Sequence, residues 1–102
     1  MLAATAAPAQ AAFMTGQQLL RACRSGAPVD HTICASYVVG AADTLAALHR
    51  FTTLPRQACL ATGVGSTALI NAVLSHAARA PKDATGTGAD LVYTALATFY
   101  PC

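Results

Sequence analysis

The 102-residue chain contains no glutamate and no tryptophan, and its only acids are the four aspartates Asp30, Asp43, Asp83 and Asp90. Paired-carboxylate catalysis needs two acids held at one site. Asp30 and Asp90 stand where a helix start would use them as caps. Nothing in the pattern joins Asp43 to Asp83. Charge is scarce altogether: charged residues make up 10% of the chain, and the net charge of +2 is too small for a nucleic-acid partner. The cations Arg21, Arg24, Arg50, Arg56, Arg79 and Lys82 are dispersed without a run and read as solvating charges. The aromatic residues are not interleaved with them, so there is no stacking platform for single-stranded nucleic acid. No apolar run approaches the roughly 20 residues that span a bilayer, which excludes membrane insertion of the mature chain.

Among what is present, four cysteines, Cys23, Cys34, Cys59 and Cys102, are the most informative feature. An even number in a short chain, without finger spacing, reads as a disulfide framework. Disulfides persist outside the reducing cytosol, so the expected address is the periplasm or beyond. Residues 1–12, MLAATAAPAQAA, fit part of a signal pattern: small apolar residues ending in Ala9-Gln10-Ala11, without a basic start. They read as a signal-peptide remnant or a disordered leader, outside a single helical domain of residues 13–102.

Metal and nucleophile chemistry have little to build on. His31 and Cys34 lie at i and i+3, which falls short of a tetrahedral set. Cysteine catalysis with His31, His49 or His76 lacks a local nucleophile signature. Ser66, after Gly63-Val64-Gly65, lacks the strand and lysine of a phosphate-binding loop and reads as an N-cap. No cofactor or metal is expected, and the chain reads as a binder, not an enzyme. Hydrophobic residues are 55% of the chain. A domain this small cannot hide so much apolar surface, and exposed apolar patches mark interfaces. A homodimer or a protein partner is expected.

The periodicity predicts four helices and no strand. The first starts at Thr15-Gly16-Gln17-Gln18, a capping box, and stops at Ser25-Gly26-Ala27-Pro28. The second is capped by Asp30 and runs from about His31 to Arg50, with Ile33, Cys34, Tyr37, Val38, Ala41, Leu45 and Leu48 inward. Gly40 in its middle invites either close packing of another helix or simple tolerance. A connector, Phe51 to Gly65, leads to a third helix capped by Ser66, which buries Leu69, Ile70, Val73, Leu74 and Ala77 and ends at Pro81. The loop Lys82 to Gly86 reads as mobile. Thr87-Gly88-Ala89-Asp90 is a second capping box, and the fourth helix carries Leu91, Val92, Ala95, Leu96 and Phe99 up to Pro101. The fold class is therefore all-α, a small four-helix up-down bundle stapled by two disulfides. In such a bundle Cys23 and Cys34 meet at one end and Cys59 and Cys102 at the other. The other pairings would cross a second helix about 30 Å long.

Taken together, these landmarks resemble the Rap/Tai family of type VI secretion immunity proteins. The resemblance rests on Thr15-Gly16-Gln17-Gln18-Leu19-Leu20-Arg21-Ala22-Cys23, on Cys34-x-x-Tyr37-x-x-Gly40-x-x-Asp43, on Ala58-Cys59 with Gly63-Val64, and on Leu91-Val92-Tyr93-Thr94-Ala95-Leu96 followed by Phe99-Tyr100-Pro101-Cys102. It covers about residues 13–102. Two departures stand out: Ala61 where members often carry proline, and a loosely matched, glycine-rich stretch from Ala80 to Gly88. The resemblance implies a small periplasmic helical protein, often dimeric, that binds a cell-wall amidase effector and obstructs its papain-like cleft. The bundle presents two irregular segments to such a partner, Phe51 to Gly65 and Pro81 to Gly88, and the candidate contact residues are Leu54, Arg56 and Gln57 in the first, or Lys82 and Asp83 in the second. The competing reading is a periplasmic helical binding or chaperone-like module for a lipid, small ligand or unfolded client. Acid-triggered chaperones rely on many titrating carboxylates, and this chain has few. The abundance of alanine leaves room for a carrier's cavity.

Overall fold

The protein is described by a computed structural model covering residues 13–53 and 55–102. The leader, residues 1–12, and the expected contact residue Leu54 lie outside the described residues. Four α-helices follow one another: α1 (Gly16–Arg24), α2 (Pro28–Phe51), α3 (Ser66–Arg79) and α4 (Gly88–Phe99), with a 3-10 turn at Pro81–Ala84 between the last two. No strand occurs among the described residues; Thr15 and Thr87 form a single antiparallel bridge.

Both capping boxes form. The Thr15 Oγ1 accepts from the Gln18 amide at 3.1 Å, and the Thr15 amide donates to Gln18 Oε1 at 2.9 Å. Thr87 and Asp90 repeat the exchange at the start of α4. Each box satisfies two donors that a helix start otherwise leaves unpaired.

Asp30 does not cap α2. The helix begins two residues earlier, at Pro28, behind Ala27. Proline's fixed φ suits the first helical position, where its missing N–H costs nothing, so the residue expected to end α1 starts α2 instead. Ser25 Oγ donates to Asp30 Oδ2 at 2.7 Å and accepts from the Ala27 amide at 3.1 Å, which ties the three-residue corner. Ser66 is likewise the first residue of α3 and not its cap; Gly65 takes that place, with no side-chain hydrogen bond.

The core is built from Leu19, Leu20, Val38, Val73, Leu91 and Leu96 among other buried side chains, with alanines filling the closer contacts. On α2 the buried stripe is Cys34, Val38, Ala42 and Leu45. Ile33 and Leu48, expected inside, are 41% and 36% exposed. For Ile33 the reason is rotational: α2 packs against α1, α3 and α4 along the line that Cys34 sets, and a residue one position away is turned about 100° from it. Leu48 stands close to that line, but in the last turn of α2, where it lines a cleft at the helix end. Gly40 faces open space, so no helix packs closely there.

The segment Lys82–Gly86 is not a free loop. Pro81–Ala84 makes a 3-10 turn, Ala84 is 1% exposed, and His76 Nε2 bonds Asp83 Oδ2 at 2.7 Å. The up-down order stands, but α1 has 9 residues against the 24 of α2. It therefore runs only part of the bundle, and its start lies beside the start of α4. There the Gly16 amide donates to the Gly86 carbonyl at 2.9 Å and the Gly88 amide to the Met14 carbonyl at 2.8 Å.

The disulfides are Cys23–Cys34 and Cys59–Cys102, as the bundle topology requires. The second joins the connector to the end of α4, where the Cys59 amide also donates to the Tyr100 carbonyl at 2.8 Å.

Candidate partner-binding surface

The two candidate segments stand at separate places on the bundle. Arg56 and Gln57 lie in the connector where it crosses the end of α2. Lys82 and Asp83 lie in the turn that packs near the start of α4. The connector is instead bridged to the end of α4, and its 12 residues separate the two by about 18 Å. Lys82 is exposed, whereas Asp83 is half-buried and held by His76. Leu54 is not among the described residues.

The end of α2 and the connector enclose two adjoining clefts. One, of about 240 Å³, is lined by Leu45, His49, Arg50, Arg56, Cys59 and Leu60 among others. The other, of about 220 Å³, is lined by Leu45, Leu48, His49, Pro55, Gln57 and Tyr93. Leu45 and His49 belong to both, so His49 forms the ridge between a cationic cleft and an apolar one. Phe51, at the helix end, is 80% exposed, and the Arg50 guanidinium lies 5.4 Å from its ring centroid. That distance suits a cation–π contact. The helix end is closed by Thr52, whose amide and hydroxyl both donate to the Leu48 carbonyl, at 3.0 and 2.6 Å. The last carbonyls of a helix need such partners.

A third groove, of about 490 Å³, lies between α1 and the start of α2. Phe13, Met14, Ala22 and Ile33 supply its apolar walls, and Arg21 and Asp30 its charges. Phe13 is 76% exposed, and Val29, on the first turn of α2, is exposed as well.

None of these surfaces holds a group of three or more histidine, cysteine or acidic side chains placed for a metal ion among the described residues. No helix among the described residues is long and apolar enough to cross a membrane. What the molecule offers is apolar surface edged with arginine on a frame pinned by two disulfides. Large exposed apolar side chains beside arginines are the material of protein interfaces.

The Rap1a immunity proteins match this chain over residues 15–102. The chain belongs to the Rap1a immunity protein family. No curated protein and no solved structure matches it. Membership of an immunity family implies binding of a secreted effector, for which the fold has to supply a docking surface. The disulfides agree with export, since they persist in oxidising compartments.

Residues that the sequence reading assigned elsewhere complete the α2 end. The periodicity places Leu48 in the core, Phe51 stands at the start of the connector, and Arg50 reads as a solvating charge. The signal is in the sequence: two large apolar residues flank a histidine and an arginine in Leu48-His49-Arg50-Phe51, and Pro55 follows closely.

Proposed function

We propose that this Rap1a family protein is a periplasmic immunity protein. It binds a peptidoglycan amidase delivered by type VI secretion and obstructs the amidase's catalytic cleft, so that the producer's cell wall is spared. The observation that carries this reading is the family match over residues 15–102. The molecule's own chemistry supports it. The fold is stapled by two disulfides, its exposed surface carries large apolar side chains, and three of its four acids are engaged, Asp30 at a corner, Asp90 in a cap and Asp83 with His76. Steric occlusion needs a preorganised surface, because ordering a flexible one on binding lowers affinity. The protein acts by binding alone and is not an enzyme. A homodimer fits the same picture, since Phe13, Val29 and Ile33 remain exposed in a single copy.

The deciding experiment mixes the oxidised protein with the peptidoglycan amidases encoded in the same genome and follows release of cell-wall fragments. Near-stoichiometric loss of cleavage with one amidase is the expected result. Unimpaired cleavage by all of them overturns the reading. Light scattering on the free protein decides between one copy and two.

A further inference from the structure

We propose that the partner docks on the end of α2 and the connector, and that it presents there an acidic-apolar segment: a carboxylate in the Arg50–Arg56 cleft and an apolar side chain in the cleft beside Leu48 and Tyr93. This deepens the immunity reading and rests on it for the partner's identity.

Charge is the first argument. Arg50 and Arg56 line one cleft, both are exposed, and neither has an ion pair among the described residues. On α2 the nearest acid in sequence, Asp43, lies seven residues before Arg50, about 10 Å along the axis. A planar guanidinium presents donors that match a carboxylate. The Arg50 guanidinium lies over the Phe51 ring, a contact that offsets part of the side-chain freedom lost when the carboxylate arrives.

Shape is the second. The apolar cleft shares its His49 wall with the cationic one. Occupants of the two clefts are therefore neighbours on one short segment. An aromatic or aliphatic anchor beside a charged contact is the usual composition of an energetic centre in an interface. The support is firm on both sides, from the Cys59–Cys102 bridge and the Cys59 amide bond to Tyr100 below, and from the Thr52 closure of α2 above.

The other surfaces fit an acidic partner less well. The groove at Phe13 carries both signs, and its Asp30 is already bonded by Ser25. The turn at Lys82 offers one cation, with Asp83 beside it in the chain. Two arginines amid dispersed charge make a site for a protein carboxylate, not a track for a polyanion.

The test uses the full oxidised protein in three forms: unsubstituted, R50E/R56E and L48D/F51S. All four positions are exposed, and unchanged circular dichroism certifies the fold. Binding to the amidase is measured at low and high salt. R50E/R56E is expected to weaken it roughly tenfold or more, mainly through slower association, and to flatten the salt dependence. L48D/F51S is expected to weaken it by a similar factor through faster dissociation. R24E, as a control at an exposed cation on α1, is expected to change affinity less than about twofold. Full affinity in both double variants overturns the docking assignment and leaves the immunity reading standing. If the unsubstituted protein binds no amidase, the immunity reading fails, and the docking chemistry is decided by nuclear magnetic resonance titration with the capped peptides Ac-DDFLDD-NH2 and Ac-KKFLKK-NH2. Shifts confined to residues 45–60, seen with the acidic peptide only, support it. Shifts at the Phe13 groove, no selectivity between the peptides, or retention on phosphatidylglycerol vesicles instead overturn it.

Discussion

His76 Nε2 stands 2.7 Å from Asp83 Oδ2, which ties α3 to the 3-10 turn that follows it. The His76 side chain is 10% exposed and that of Asp83 29%. A nearly buried ring nitrogen is thus given its partner by a residue seven positions on. Removing one partner of such a bond leaves the other unsatisfied, at about 1–3 kcal/mol. D83A is expected to lower the melting temperature by several degrees, and D83N, which keeps an acceptor oxygen, by much less. Affinity of the folded variants for the effector is expected to stay unchanged. A D83A protein that melts normally but binds weakly would make Asp83 a contact residue and not a structural one.

Two glycines respond oppositely to the same substitution. A Cβ on Gly16 would come within 2.5 Å of the Ala84 carbonyl oxygen, and that backbone is packed against α1. G16A is expected to destabilise by about 1–3 kcal/mol, the usual range for overpacking. A Cβ on Gly40 would meet nothing within 4 Å. G40A is expected to stabilise by about 0.5–1 kcal/mol, because alanine suits a helix interior better than glycine. Urea titration of both variants decides it. Loss of stability in G40A at high protein concentration only would reveal a second copy packed on that face.

The corner between α1 and α2 turns on Ser25, whose hydroxyl serves Asp30 and the Ala27 amide together. Ala27 itself offers no side-chain cap. S25A is expected to cost about 1 kcal/mol, as loss of a helix-start acceptor does. A27D is expected to recover part of it, read as the denaturation midpoint of the double variant.

What the sequence showed best was local. Thr15 with Gln18 and Thr87 with Asp90 announced two helix starts, because a capping box needs only residues three apart. The cysteine pairing followed once four helices were in place. Facing was harder. Ile33 has the chemistry of a core residue, and only the packing of three neighbouring helices shows that the stripe of α2 runs through Cys34, Val38 and Ala42 instead, while Leu48 is exposed because it stands in the last turn, at a cleft. The turn at Pro81–Ala84 is harder to read because its order depends on packing against Gly16, distant in the chain, and on a His76–Asp83 bond across seven residues that no helix periodicity announces. The docking surface was half legible: Arg56 and Gln57 were picked from the connector, but their meeting with His49, Leu48 and Tyr93 is a tertiary fact.

The two disulfides differ in access, and the difference is expected to separate them chemically. Cys34 is fully buried and Cys23 half-buried, whereas Cys59 and Cys102 are both exposed. Thiol–disulfide exchange requires a thiolate to reach a sulfur. Under limiting dithiol, alkylation and mass spectrometry should therefore find Cys59 and Cys102 labelled first, in a protein that is still helical. The bridge closes a loop with a sequence separation of 43, against 11 for Cys23–Cys34. On chain-entropy grounds these are worth about 4 and about 3 kcal/mol. Cys59 also lines the cationic cleft, so opening its bridge frees the connector that carries Arg56. Selectively reduced protein is expected to lose affinity for the effector before it loses helicity, and reoxidation should restore both. Labelling of Cys23 and Cys34 first, or full affinity with Cys59 and Cys102 alkylated, would show that the connector holds its place without the bridge.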